Sequence, residues 1–245
     1  MLAICRFILL SFALIFICLV SCFYCLIKPF HRNNVHHTAR YIGKITKLLG
    51  FEVEVRVPES VKNLGSAVYV ANHQNSYDLF TMANAIRPGT VSVGKKSLKW
   101  IPVFGQMYWL TGNILLDRTN TSKAMGTIML TAKKIKENKL SVWMFPEGTR
   151  SRGRGLLPFK TGAFHTAAQA GVPIVPTCCS NQHQTIDLSR WDNGKIIIEF
   201  LEPLYIDNTN REGIRSVADK SYALMKEKIK QLDNELANDL ASKKG

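Results

Sequence analysis

The cysteine residues of this chain show neither the spacing of metal ligands nor that of a disulfide framework. Cys178 and Cys179 are adjacent at the end of a predicted strand, and the other four lie in or beside an apolar N-terminal segment: Cys5, Cys18, Cys22 and Cys25. We therefore expect no metal site and no disulfide bond, and we interpret the cysteines as small buried apolar residues. This usage is consistent with a reducing, cytosol-facing location.

Beyond Gly50 the sequence has no low-complexity tract, no internal repeat and no linker that would separate two domains. Repeat proteins are therefore excluded, and one globular unit is favoured. A length of 245 residues is sufficient for one domain with a substantial core and an appendage. We predict a membrane-anchor helix and a basic amphipathic helix over residues 1–50, and one globular domain over residues 51–245.

Acidic residues are scarce relative to basic ones. The chain has 18 Asp and Glu against 32 Lys and Arg, which gives a formal net charge of +14. Such an excess favours partners that carry phosphate: nucleic acid, an anionic membrane surface or small phosphorylated substrates. A basic nucleic-acid-binding protein is one reading of this charge.

The N-terminal segment is the longest apolar run. From Phe7 to Ile27 the chain has no charged residue, and a helix needs roughly 20 residues to cross the hydrocarbon core. The run continues past Cys22 and lacks a clear cleavage site, so we expect it to be retained rather than removed as a signal. Arg6 precedes the run, whereas more basic residues follow it: Lys28, Arg32, Arg40, Lys44 and Lys47. By the positive-inside tendency, the chain after Lys28 is predicted to stay cytoplasmic.

Two alternatives concern how the N-terminal region meets the bilayer. The apolar run could lie in the interface plane, although it lacks the polar face typical of such a helix. Apolar residues at helical spacing within Val35–Leu49 predict an amphipathic helix interleaved with basic residues. That second helix either rests on anionic lipid or is a surface helix of the domain.

The rest of the chain alternates between β-rich apolar runs and helical patterns. Helices are predicted at Tyr77–Ile86, Ser122–Glu137 and Thr161–Ala170, and from Arg211 onward. Strands are predicted at Phe51–Val57, Ala67–Ala71, Thr90–Val93, Asn113–Leu116, Val142–Phe145, Ile174–Cys178 and Lys195–Phe200. Strands that alternate with helices indicate an α/β fold with a largely parallel sheet.

One strand runs directly into a candidate catalytic pair, His73 and Asp78. The strand Ala67–Ala71 ends just before His73, and ligands of α/β proteins bind at the carboxyl ends of strands. The five-residue offset allows a turn to bring the carboxylate of Asp78 back to the imidazole. There it would fix the tautomer and stabilise the imidazolium that forms when the histidine takes a proton.

A second strand ends in a polar turn. Pro146 stops the strand, Gly148 allows a tight turn, and the turn presents Glu147, Thr149 and Arg150 together. Arginine suits phosphate because its planar fork makes two parallel hydrogen bonds. Two further basic residues lie at the boundaries of predicted elements. Arg118 follows a predicted strand, and Lys160 lies just before the N-terminus of a predicted helix, a position that favours anions.

Taken in order, these blocks resemble the glycerolipid acyltransferase family, most closely its bacterial 1-acylglycerol-3-phosphate acyltransferase branch. The blocks are Asn72 to Asp78, Gly112 to Arg118, Phe145-Pro146-Glu147-Gly148-Thr149-Arg150-Ser151, and Val172 to Pro176. The resemblance implies the glycerol-phosphate acyltransferase fold: an α/β domain, here residues 51–245, with a mixed, largely parallel sheet flanked by helices and an N-terminal membrane-anchoring helical segment.

The resemblance also implies a reaction and its site. An acyl group would pass from acyl-CoA or acyl-carrier protein to the sn-2 hydroxyl of lysophosphatidic acid, giving phosphatidic acid for phospholipid synthesis, without a metal or further cofactor. His73 and Asp78 would be catalytic. The substrate-binding residues would be Arg118, Glu147, Gly148, Thr149, Arg150 and Lys160. Membrane lipid, not nucleic acid, would be the remaining partner, and the domain would lie on the cytoplasmic side of the bacterial inner membrane.

Several alternatives stay open at this point. The acceptor could be another lysophospholipid or glycerol 3-phosphate, or the chain could be a basic lipid-binding membrane protein without catalysis. A covalent route would use Ser76 beside His73, or Cys178–Cys179 near His183, to hold the acyl group.

Overall fold

The structure, a computed structural model, describes residues 1–117 and 121–242, and of residues 121–124 it describes only the backbone. These residues form a seven-stranded sheet in the order β1-β7-β6-β2-β5-β3-β4. Neighbouring strands are parallel except β6 and β7, which are antiparallel. The strands are β1 Glu52–Arg56, β2 Val68–Ala71, β3 Thr90–Lys95, β4 Ile114–Leu116, β5 Ser141–Met144, β6 Ile174–Cys179 and β7 Lys195–Phe200. The predicted mixed, largely parallel sheet is therefore confirmed.

Eight α-helices accompany the sheet in the described part of the chain. They are α1 Leu2–Ile27, α2 Asn34–Lys44, α3 Glu59–Lys62, α4 Asp78–Thr81, α5 Phe104–Leu110, α6 Thr121–Asn138, α7 Gly162–Ala170 and α8 Arg211–Ser242. Two predicted helices are shorter than expected, because α2 and α4 each continue as a 3₁₀ helix, Ile45–Lys47 and Met82–Ala85. The sequence patterns did not predict α3 and α5.

The sheet is covered on both faces, which follows from the alternation of side chains along each strand. On one face Val68 and Val70 of β2 pack with buried residues of α6, α7 and α8. On the other, Tyr69 and Ala71 pack with Leu10 of α1 and with the segment after α2. The central strands β2, β5 and β6 are buried along their whole length. Their ends are therefore held rigidly, which matters for any residue that follows them.

Helix α1 lies along the globular domain rather than projecting from it. It is long and apolar enough to cross a membrane. Near its start, the buried guanidinium of Arg6 donates hydrogen bonds to the carbonyl oxygens of Leu188, Arg190 and Trp191. Just beyond its end, the Phe30 N–H donates to Leu110 O at 3.0 Å.

Much of the surface of α1 is apolar and exposed. Its exposed residues include Ile4, Phe7, Phe12, Phe16, Leu19, Phe23 and Leu26. Leu10, Cys18 and Cys25 of the same helix are buried. The predicted division of the chain at residue 50 stays a prediction.

Candidate active site

Three loops meet at one edge of the sheet because β5, β2 and β6 are adjacent and parallel. The loops follow β2 at Asn72, β5 at Phe145 and β6 at Ser180. The backbone joins the first two directly: Ser151 N–H donates to His73 O at 2.7 Å. The edge therefore holds His73 and the polar turn in fixed proximity.

His73 and Asp78 are in contact, as their spacing predicts. His73 Nδ1 lies 2.5 Å from Asp78 Oδ2. The same oxygen accepts hydrogen bonds from the N–H groups of Gln74 at 2.7 Å and Asn75 at 3.1 Å. Asp78 is also the first residue of α4, where a negative charge is favoured. Only 4% of Asp78 is exposed, so its charge acts on the imidazole with little screening by water.

His73 is held in place through both its ring and its backbone. Its ring stacks on Phe145 with centroids 4.1 Å apart and planes 15° from parallel. Its backbone N–H donates to Glu147 Oε1 at 2.6 Å. With Nδ1 engaged by the carboxylate, Nε2 is the nitrogen that can accept a proton. The side chain keeps 19% of its surface exposed, so a substrate can reach the ring.

Glu147 is buried and braces two loops through their backbones. Oε1 accepts from His73 N–H, and Oε2 accepts from Leu157 N–H at 2.9 Å. Burial raises the pKa of this carboxyl, while the two backbone hydrogen bonds act in the opposite direction. Both carboxylate oxygens thus contact the protein, and its predicted assignment to substrate binding stays a prediction.

The predicted cations and the hydroxyl lie on the outer side of the same turn. Thr149, Arg150 and Lys160 are exposed. Lys160 is brought there because its N–H donates to Pro146 O at 2.9 Å. A Cβ atom added to Gly148 would lie 3.1 Å from Nζ of Lys160. The ammonium group of Lys160 therefore packs directly against the backbone of the turn at Gly148. Arg118 lies outside the described residues.

The residues considered for a covalent route are poorly placed for it. Cys178 and Cys179 are fully buried, and burial raises the pKa of both thiols. Cys178 Sγ faces Met225 O of α8 at 3.8 Å. A reactive cysteine needs exposure and a lowered pKa, and these two have neither. Ser76 is exposed, but Asp78 occupies the Nδ1 side of the neighbouring histidine.

Three side-chain amides belong to the site, although the sequence patterns did not single them out. Asn72 and Gln74 flank His73, so their polar character directly after a buried strand is a signal that was available. Gln182 has no such signal, since it lies in a loop far along the chain. Its Nε2 donates to Asp78 Oδ1.

The model of the family described as "Acyltransferase" matches residues 52–180 of the chain. The chain belongs to the acyltransferase family. The matched range contains His73, Asp78 and the whole Phe145–Ser151 turn, and the resemblance to glycerolipid acyltransferases is confirmed.

Relatives of this acyltransferase align along nearly its whole length. It is 48% identical to the 1-acyl-sn-glycerol-3-phosphate acyltransferase of Haemophilus influenzae, over 97% of this chain and 99% of that protein. It is 50% identical to the protein of the same name from Salmonella typhimurium, over 91% of each. The crystal structure of the 1-acyl-sn-glycerophosphate (LPA) acyltransferase PlsC from Thermotoga maritima is 24% identical and covers 94% of this chain and 97% of that one, with a TM-score of 0.70. This structural likeness confirms the fold.

Proposed function

We propose that this acyltransferase moves a fatty acyl group from a thioester to the sn-2 hydroxyl of lysophosphatidic acid, giving phosphatidic acid in phospholipid synthesis. The observation that carries the proposal is the oriented pair of His73 Nδ1 and Asp78 Oδ2, 2.5 Å apart, beside an arginine-bearing turn. The near full-length identity to proteins named for this reaction supports the choice of acceptor.

In the proposed reaction, His73 Nε2 takes the proton of the lipid hydroxyl as its oxygen attacks the thioester carbonyl carbon. Asp78 stabilises the imidazolium that forms. When the tetrahedral intermediate collapses, the C–S bond breaks and the leaving thiolate takes the proton from the imidazolium. The products are the ester and a free thiol, and His73 returns to its neutral state. Holding both substrates in register can lower the barrier by roughly 7–11 kcal/mol, so much of the task is placement.

The phosphate of the acceptor is proposed to bind on the outer side of the turn. Arg150 and Lys160 are exposed there and supply two positive charges, and the Thr149 hydroxyl supplies a neutral donor. Gly148 lets the backbone turn without a side chain between these groups. Arg118 is assigned to the same phosphate from the family resemblance alone. With the phosphate of lysophosphatidic acid bound there, its sn-2 hydroxyl would lie close to His73.

The acyl donor is proposed to be acyl-CoA or acyl-carrier protein, with no further cofactor. Both deliver the same thioester carbonyl, and they differ only in what carries it. A labelled thioester of each kind, offered to the purified enzyme with lysophosphatidic acid, would tell the two apart by rate.

The membrane is proposed to meet the exposed apolar residues of α1. Because both ends of α1 contact the globular domain, we place this helix in the plane of one leaflet, with its exposed apolar residues toward the acyl chains. Lipid substrates would then reach the site without leaving the bilayer surface. We place the protein on the cytoplasmic side of the bacterial inner membrane, because the basic residues that follow α1 would be attracted to the anionic surface of the cytoplasmic leaflet.

The decisive test is transfer of labelled acyl thioester to a panel of acceptors by purified protein in detergent. The panel contains lysophosphatidic acid, other lysophospholipids and glycerol 3-phosphate. Lysophosphatidic acid should be the preferred acceptor, and His73→Ala should lower kcat by about 10²–10⁴-fold, the usual contribution of a general base. The exposed His31→Ala serves as the control and should keep parental activity. Preference for another acceptor, or a folded and fully active His73→Ala variant, would refute the proposal.

A further inference from the structure

Gln182 is buried beside the catalytic pair and touches it from a distant part of the chain. It lies three residues after the end of β6, and only 1% of it is exposed. Its N–H donates to Gln74 Oε1 at 2.9 Å, and its carbonyl oxygen accepts from Asn75 Nδ2 at 3.4 Å. The backbone of Gln182 is therefore fixed to the loop that carries His73.

The side chain of Gln182 completes the coordination of the Asp78 carboxylate. Oδ2 of Asp78 is held by local donors from residues 73–75. Oδ1 instead accepts from Gln182 Nε2, across 104 positions of sequence. A buried carboxylate oxygen without a donor is costly, so this contact stabilises one orientation of the whole group. In that orientation Oδ2 faces the imidazole.

The direction of the amide is set by this contact. In the described part of the chain, Gln182 Oε1 is buried without a hydrogen-bond partner. Reversing the amide would place Oε1 against a carboxylate oxygen, and the two negative atoms would repel each other. The glutamine thus keeps one polar atom unpaired and directs its donor to Asp78. A lysine or arginine at this position would cancel the carboxylate charge that stabilises the imidazolium. The neutral amide of Gln182 holds the carboxylate and leaves that charge in place.

We propose that Gln182 is a positioning residue for acyl transfer, which fixes the plane of the Asp78 carboxylate so that Asp78 orients His73 as the base. The inference rests on the proposed function, because it takes His73 as the group that removes the proton. Only 1% of Gln182 is exposed, so its loss should act on the chemical step rather than on lipid binding.

Removing the donor also loosens the hold of Asp78 on the imidazole. The titratable groups around Asp78 are His73 from the loop after β2, Glu147 from the turn after β5 and Cys179 from β6, with Asp233 of α8 bonded to the neighbouring Asn181 N–H. Without the Gln182 donor, the Asp78 carboxylate can rotate so that Oδ2 no longer faces Nδ1 of His73. The imidazolium that forms during transfer is then stabilised less, so kcat falls.

The first test compares Gln182→Met with Gln184→Met in the full-length enzyme. Gln184 is exposed, lies in the same loop and receives the same substitution, so it controls for general effects on that loop. Gln182→Met should lower kcat by about 10- to 100-fold, the order of loss seen for residues that orient the ligands of a metal site. Its KM for lysophosphatidic acid should stay within about twofold of the parent. Parental kcat in folded Gln182→Met would overturn the proposal.

A second variant, Gln182→Glu, is nearly isosteric and carries the test alone if the methionine variant does not fold. When its new carboxyl is ionised, two negative charges face each other and Asp78 is displaced. When it is protonated, its O–H donates to Oδ1 and restores the original contact. The kcat of Gln182→Glu relative to the parent should therefore rise as the pH is lowered. A ratio that is constant with pH would contradict a positioning role.

A measurement without turnover separates this inference from the proposed function. The ring nitrogens of His73 can be observed by ¹⁵N NMR of the full-length protein in detergent, with the signals assigned by their loss in His73→Asn. Gln182→Met should shift the Nδ1 signal, because the contact of Nδ1 with Asp78 Oδ2 loosens, and Gln184→Met should leave it unchanged. An unchanged Nδ1 signal in both variants would refute the role of Gln182. An enzyme that acylates some other acceptor would refute only the proposed substrate.

Discussion

Asn72 and Cys179 exchange two hydrogen bonds across the ends of neighbouring strands. Asn72 Nδ2 donates to Cys179 O at 2.9 Å, and Cys179 N–H donates to Asn72 Oδ1 at 2.8 Å. A side-chain amide thus continues the pairing of β2 with β6 beyond the last residue of β2. Since His73 is the next residue, this contact determines where the catalytic loop leaves the sheet.

Replacing Asn72 by alanine should therefore damage both stability and catalysis. The buried N–H of Cys179 loses its acceptor, and the Cys179 carbonyl oxygen keeps only the donor Gln74 Nε2 at 3.3 Å, which together cost about 1–3 kcal/mol of unfolding free energy. The base of the His73 loop also becomes free to shift, so kcat should fall at least about 10-fold. Urea unfolding in detergent and steady-state kinetics measure the two effects. Asn138→Ala, at an exposed helix end, is the control and should change neither quantity.

Glu147 gives the enzyme a defined dependence of stability on pH. Burial raises the pKa of its carboxyl above the ordinary value of 4.5. The folded state therefore binds more protons than the unfolded state between the ordinary pKa and the raised one. The contribution of Glu147 to the free energy of unfolding is therefore greatest at pH values below this range. It decreases as the pH rises from the ordinary pKa to the raised one.

Glu147→Gln removes the titratable carboxyl and replaces one of its two acceptor oxygens by an NH₂ group. The variant should lose about 1–3 kcal/mol, because its NH₂ group faces a backbone N–H that the carboxylate accepted. The difference in unfolding free energy between parent and variant should shrink as the pH rises through this range. A pH-independent difference would show that the carboxyl does not titrate in this range.

Much of the fold could be predicted from local patterns. Short β-rich apolar runs between turns gave all seven described strands, since strands buried on both faces show continuous apolar stretches. The contact of His73 with Asp78 also follows from sequence, because both lie in one turn after a strand. In each case the partners are close together along the chain, so the local pattern contains the needed information.

The remaining features depend on tertiary contacts that no local pattern encodes. Gln182 meets Asp78 only because β6 lies next to β2 in the sheet. The turn sequence shows that Glu147 is a carboxylate at a strand end, but not that it faces inward to two backbone N–H groups. Likewise, the apolar composition of α1 suits both a spanning helix and one that lies on the domain. The carbonyl contacts of Arg6, on which the proposed placement of α1 rests, come from residues far along the chain.

Gly148 adopts a left-handed backbone, with φ of +71°, directly beneath Lys160. Gly148→Ala should cost about 1–2 kcal/mol through backbone strain and should displace the ammonium of Lys160. The KM for lysophosphatidic acid should rise, as it should in Lys160→Ala, and the two effects should not add in the double variant. Gly155→Ala is a matched control: its φ is +74°, and in the described part of the chain nothing lies within 4 Å of the added carbon. It should show the strain without the change in KM.

Arg150 is exposed on the turn and is assigned to the lipid phosphate. Arg150→Ala should raise the KM for lysophosphatidic acid about 10-fold, since one charge-assisted contact is lost. The kcat should change little, because Arg150 is assigned to the phosphate and not to the reacting atoms. The exposed Arg211→Ala, at the start of α8, controls for the loss of one positive charge. Equal KM values in the two variants would remove Arg150 from the phosphate site.

The N-terminus should lie on the same side of the membrane as the catalytic domain. Only 7% of Arg6 is exposed, and its guanidinium lies 5.3 Å from the ring centroid of Trp191, so the start of α1 is fixed to the domain. A spanning helix would instead place Arg6 across the bilayer from this partner. An epitope tag ahead of Met1 and another after Gly245 should therefore become accessible to protease together, in inverted but not in right-side-out membrane vesicles. Opposite accessibility of the two tags would mean that α1 crosses the membrane and that the contacts of Arg6 do not form there.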